Sequence, residues 1–102
     1  MIRIGIVGCG RIMAAHLRGY RLLREAGVDD FRITAVCSLS EDEARMYVRR
    51  GEGPPQRPAV SQFARDPLAV ADEYVSDFQD DVDVQVYTDF RRLVAEAPIT
   101  AV

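Results

Sequence analysis

The sequence predicts an α/β domain built on a doubly wound parallel sheet, and three observations carry that prediction. Short apolar runs alternate with stretches of helical periodicity. The first run ends in Gly8-Cys9-Gly10, at the head of a long helical pattern. The segments between apolar runs are long enough for helical crossovers, and strands joined in that way lie parallel.

Arg3-Ile4-Gly5-Ile6-Val7 reads as a strand buried on both faces. Beyond the glycine turn, Ile12, Ala15, Gly19, Leu22 or Leu23, and Ala26 recur at helical spacing, and Gly27 stands where a C-terminal cap belongs. Arg32–Cys37 is a second buried strand. Ser40 and Glu43 have capping-box spacing, which predicts a helix running to Arg50 and stopping at Gly51. The glycine- and proline-rich stretch Gly51–Pro58 is a loop. Asp66-Pro67 reads as an N-cap followed by the first helical position, so Leu68, Ala71, Val75 and Phe78 are expected along one face of a third helix. Val82, Val84 and Val86 alternate with polar residues, as in a less buried outer strand. Thr88 or Asp89 caps a short helix through Ala97, Pro98 ends it, and Ile99–Val102 opens a fourth strand. The sheet is therefore expected to be truncated after the start of that strand. Residues 52–81 form a longer connection than αβ units normally use, and are read as an insertion: a surface elaboration, with an oligomer contact or lid as the functional alternative.

The 102 residues, 48% of them hydrophobic and 28% charged with a net charge of −3, suit one small domain. All 13 basic residues are arginine. Within these residues, missing lysine excludes a Schiff base, a P-loop lysine and a lysine general acid. A chain rich in Arg, Ala, Val and Asp also fits a GC-rich coding sequence, and both readings stay open. No apolar run reaches the roughly 20 residues that span a bilayer, and a strand beginning at Ile2 leaves no room for a leader, so a cytoplasmic location without membrane attachment is expected. Cys9 and Cys37 match no metal spacing and are read as free thiols. The acidic balance and scattered arginines argue against nucleic acid, and Arg49-Arg50 and Arg91-Arg92 read as solvated pairs on surface helices.

The chemistry concentrates at Gly8-Cys9-Gly10-Arg11-Ile12-Met13, which fits G-x-G-x-x-G at its first two glycines. Gly8 permits a tight turn, Gly10 lets a pyrophosphate approach the backbone, and the amides around Arg11 and Ile12 point at its oxygens with the favourable end of the helix dipole. That combination is the signature of a Rossmann-type dinucleotide site. Met13 replaces the third glycine, which puts close helix–strand packing in question. The residue closing the second strand, where Asp or Glu usually holds the adenosine ribose, is Ser38. Serine serves a hydroxyl or a 2′-phosphate, while Glu41, Asp42 and Glu43 crowd the same region with negative charge, so NAD and NADP both stay open. Arg11 can pair with the pyrophosphate or point into solvent. His16 reads as a packing or hydrogen-bonded histidine, and Cys9 as a small residue in a tight loop. No metal site and no catalytic residue are assigned.

Ile4-Gly5-Ile6-Val7-Gly8-Cys9-Gly10-Arg11-Ile12, with His16 following, resembles the opening of the glucose–fructose oxidoreductase/inositol dehydrogenase family (Gfo/Idh/MocA). Tyr87-Thr88-Asp89-Phe90, Leu93-Val94 and Ile99-Thr100-Ala101-Val102 resemble that family's next landmark. Met13, where the family usually has Gly or Ala, and Ser38, where it often has Asp, depart from the pattern. The resemblance implies an NAD- or NADP-binding Rossmann portion, with Gly8, Gly10, Arg11, Ile12 and Ser38 at the cofactor. It further implies a C-terminal substrate domain, absent from these residues, and a homo-oligomer. The implied reaction is hydride transfer on a sugar, inositol or related polyol. The family's catalytic lysine, in an E-K-P motif beyond the fourth strand, has no counterpart here. The expectation is the cofactor-binding portion of an oxidoreductase; the alternative is a non-catalytic NAD(P)-binding sensor or accessory module.

Overall fold

The computed structural model describes residues 1–102 as an α/β fold of Rossmann-like order. Strand β1 (Ile2–Val7) leads to helix α1 (Met13–Glu25), then strand β2 (Phe31–Cys37) and the short helix α2 (Glu41–Arg45). Strand β3 (Gln85–Tyr87) and helix α3 (Phe90–Glu96) follow. The sheet is parallel, with β2 between β1 and β3. On the free side of β1, Ala101 makes a parallel bridge to Ile4. The spatial order is thus β3, β2, β1 and then the 99–102 segment, with the order reversing at β1. No helix is long and apolar enough to cross a membrane.

The sequence explains why helices cover both faces. Ile33 and Val36 of β2 pack with Met13, Ala14 and Leu17 of α1 and with Ala44 of α2, whereas Ala35 and Cys37 pack with Leu93 of α3. Strict alternation would put Ile33 and Val36 on opposite faces. The register shifts between Ile4 and Gly5, pairing Ile4 with Ile33 but Gly5 with Ala35, so Thr34 is the extra residue. Its hydroxyl donates to the Pro98 carbonyl at 3.2 Å. Gly5 is where α3 comes closest: a Cβ there would lie 3.0 Å from Leu93 Cδ2 and 3.1 Å from Ile99 Cγ2.

Helix α1 keeps its predicted extent and closes at Gly27 with paired end bonds. The Gly27 amide donates to Arg24 and the Val28 amide to Leu23, satisfying carbonyls that would otherwise be orphaned. Met13 is 1% exposed in the main core cluster. The expected conflict between Met13 and the sheet does not arise: an unbranched, flexible side chain fills the space beneath the turn.

Two helical expectations are overturned. Helix α2 stops at Arg45, short of Arg50, because the chain from Met46 onward turns to receive another segment. The carbonyls of Tyr47 and Val48 accept from the amides of Val75 and Ser76 at 2.9 and 3.0 Å. The third helix does not form. Asp66 does cap as expected, its Oδ1 accepting from the Leu68 amide at 2.9 Å, but only a turn follows. Asp72 sits at φ 61°, incompatible with continued helix, and the sole regular element is a single 3₁₀ turn at Val75–Asp77.

Arginine replaces helical hydrogen bonding as the fastener of this segment. Arg21 of α1 grips both oxygens of Glu73, Arg32 of β2 grips Asp81, and Arg50 holds Asp72 and Asp77 while lying over the Tyr74 ring. Arg50 is therefore ion-paired on a turn and is not half of a solvated helical pair. Planar, forked guanidinium groups make such two-point contacts, and a lysine cannot. Val70 and Val75 enter the main core, so residues 52–81 are not merely a surface elaboration. Gln79 completes the docking. Its side-chain amide accepts from the Ile33 amide and donates to the Ile33 carbonyl, each at 2.8 Å, as a neighbouring strand would.

Candidate functional site

The carboxyl ends of β1, β2 and β3 converge on a cleft of about 430 Å³, bounded by Gly8, Cys9 and Gly10 on one side and Ser38, Leu39 and Glu43 on the other. Asp89 and Arg91, at the start of α3, close its far wall. Ligands of open α/β sheets bind outside the carboxyl ends of the strands, and this cleft reaches β1, the strand at which the order reverses.

Gly8 adopts φ +94°, a left-handed conformation that a side chain would strain, and its amide donates to the Cys37 carbonyl at 2.8 Å. This bond ties the turn to the end of β2. No Cβ at Gly8 or Gly10 would meet any atom within 4 Å, so the glycines front open space. Ile12 occupies the N-cap position of α1 without a side-chain cap. No intramolecular hydrogen bond reaches the amides of Gly10, Arg11 or Ile12. A helix start with free donors and no acidic residue in its first turn is suited to an external anion.

The structure brings Gly8, Gly10 and Ser38 to one cleft, with Arg11 and Ile12 continuing the turn beside it. Arg11 is turned away from that cleft. Its side chain remains exposed, and its Nε donates to the Pro58 carbonyl at 3.1 Å and its terminal nitrogen to the Ala59 carbonyl, so it anchors the 52–81 segment. Ser38, 9% exposed, donates its hydroxyl to Glu43 Oε2 at 2.8 Å. His16 is exposed and lines a neighbouring apolar groove with Ile12 and Tyr20, a correction to the packing reading. Its position on α1, one turn after Ile12, rotates it off the buried stripe of Met13, Ala14 and Leu17.

Glu43 is a residue to which sequence reasoning gave only a capping-box role with Ser40 and otherwise grouped with Glu41 and Asp42. The Ser40 hydroxyl does accept from the Glu43 amide at 3.1 Å, but the reciprocal half of the capping box is missing. The Glu43 side chain turns into the cleft, where Ser38 binds one oxygen and Arg57 the other. These two donors, the Ser38 hydroxyl first, hold its carboxyl below the usual glutamate range. The available signal was Ser38 itself, a hydroxyl buried five residues ahead of an acid.

Cys9 and Cys37 are free thiols, both buried. Cys9 Sγ donates to the Cys37 carbonyl at 3.5 Å, and burial pushes the Cys9 thiol up to about 11. At pH 8 its thiolate fraction is therefore about one part in a thousand. Iodoacetamide at pH 8 is expected to spare Cys9 in the folded protein and label it on unfolding in urea, as read by peptide mass spectrometry. Rapid labelling without denaturant would contradict the burial.

Comparison with family models, curated proteins and solved structures finds no match for this chain.

Proposed function

We propose that this chain is the dinucleotide-binding portion of an NAD- or NADP-dependent oxidoreductase of the glucose–fructose oxidoreductase/inositol dehydrogenase kind. The observation that carries the reading is the unpartnered set of amides at Gly10, Arg11 and Ile12, presented behind a positive-φ glycine at the carboxyl end of β1. The residues fit a pyrophosphate, which needs backbone donors and room to approach them. Gly8 and Gly10 supply the room, and α1 directs its positive dipole end at the same place. Leu39, 96% exposed on the cleft rim, offers an apolar surface for an adenine ring.

The cofactor, when bound, supplies or accepts a hydride; this chain's part is to bind and orient it. Glu43 and Asp89, the acids of the cleft, are both hydrogen-bonded within the protein, to Ser38 and Arg57 and to the Arg91 amide. No acid–base role is assigned to them. The sugar or polyol and its catalytic lysine belong, on this reading, to sequence outside these residues.

Titrating the chain with NADH and, separately, NADPH tests the reading through nicotinamide fluorescence and calorimetry. Saturable binding of one or both is expected. Failure of both ligands, with a folded protein confirmed by a cooperative melt, would sink it.

A further inference from the structure

Resting on that reading, we infer that Glu43 selects NAD over NADP, with Ser38 and Arg57 holding its carboxylate toward the adenosine ribose. Ser38 closes β2, the place from which a dinucleotide site reads the ribose hydroxyls. Its own hydroxyl is committed to Glu43 at 2.8 Å, so the group it presents to the cleft is a carboxylate carried on α2. The acid missing from the strand end is supplied five residues later.

Valence and charge point to a diol. An ionised carboxylate accepts about four hydrogen bonds. Ser38 and Arg57 each donate to a different oxygen of Glu43, leaving each oxygen able to accept once more. A ribose 2′,3′-diol offers two hydroxyl donors. A 2′-phosphate offers only acceptors and negative charge, and meets repulsion in a half-buried setting. Arg57 does not reverse this, because its guanidinium is bound to the carboxylate it would have to abandon. The segment carrying Arg57 is held against the body by Arg11 at Pro58 and Ala59, which fixes the clamp beside the phosphate turn.

The test is the ratio of NADPH to NADH dissociation constants, measured by fluorescence titration of the wild-type chain and its variants. Wild type is expected to prefer NADH by about tenfold or more. Glu43→Gln keeps the shape, removes the charge and frees Arg57, so the ratio is expected to fall to about one or below. Ser38→Ala keeps the acid but loses the hydroxyl that aims it, and is expected to give an intermediate ratio; it serves where Glu43→Gln fails to fold. Equal binding of both cofactors by wild type would overturn the inference. So would an unchanged ratio in the folded Glu43 or Ser38 variants that still bind NADH, and in either case dinucleotide binding itself would stand. Binding of neither cofactor by wild type would overturn the underlying reading as well.

Discussion

Gly10→Asp is expected to abolish dinucleotide binding while leaving the domain folded. A Cβ at Gly10 meets no atom within 4 Å, and the residue carries no positive φ, so neither sterics nor backbone strain opposes the substitution. The new carboxylate stands where the phosphate should stand, beside the free amides of Arg11 and Ile12. It accepts the hydrogen bonds meant for the ligand and repels its charge. The expected loss of affinity is about a hundredfold or more, equivalent to ~3 kcal/mol. Thermal melting should shift by only a few degrees and, if anything, upward, because an acid at a helix start is favourable. NADH titration and a melt on the same sample check both halves. An affinity within about threefold of wild type would remove the glycine turn from the binding site.

The second large effect concerns stability. Gln79→Ala is expected to destabilise the domain by about 2–5 kcal/mol, because it strands the Ile33 amide and carbonyl in the core, each unmet group costing ~1–3 kcal/mol. Gln79 is 7% exposed and Ile33 fully buried, so water does not reach them without local opening. Small domains are stable by only about 5–15 kcal/mol, and each kcal/mol moves the melting temperature by roughly 4–8 °C. A fall of ten degrees or more is therefore expected on the order-of-magnitude scale of that relation. Hydrogen exchange at the Ile33 amide should accelerate in parallel. A loss below about 1 kcal/mol would mean that the strand-like role of Gln79 is incidental.

The strands and α1 were legible because their signals are local. Strand β2 is buried along nearly its whole length and reads as an unbroken apolar run, whereas β1, expected to be buried on both faces, has only Gly5 buried and its ends exposed. Gly8, Gly10 and Gly27 punctuate the chain where its geometry changes. Of Val82, Val84 and Val86, whose alternation predicts an outer strand, only Val86 lies in β3, which is confined to Gln85–Tyr87, although β3 does lie at one side of the sheet. Residues 66–78 misled for the opposite reason. Their apolar spacing is compatible with a helix, but Val70 and Val75 enter the core from an irregular path held by Arg21 and Arg50. Partners at Glu73 and Asp77, far along the sequence from those arginines, leave no periodic trace. The same limit applied at the cleft. Gly8 and Gly10 announce themselves, whereas Glu43 acquires its orientation from Ser38 and from Arg57, a loop residue that no local pattern connects to it.

The pairing of Arg3 with Thr100 has a bearing on the order in which the molecule assembles. The Arg3 amide donates to Thr100 Oγ1 at 2.9 Å, across a separation of 97 residues, and its guanidinium reaches the Pro98 carbonyl. Closing so long a loop is favourable only once the intervening chain is already compact. The unit of β1, α1 and β2, local in sequence and rich in buried contacts, is the natural nucleus, and the 99–102 segment zips onto β1 afterwards. Weakening that seam should leave the refolding rate nearly unchanged and hasten unfolding. The strand position beside β1 is thus expected to be the last piece placed and the first to come away.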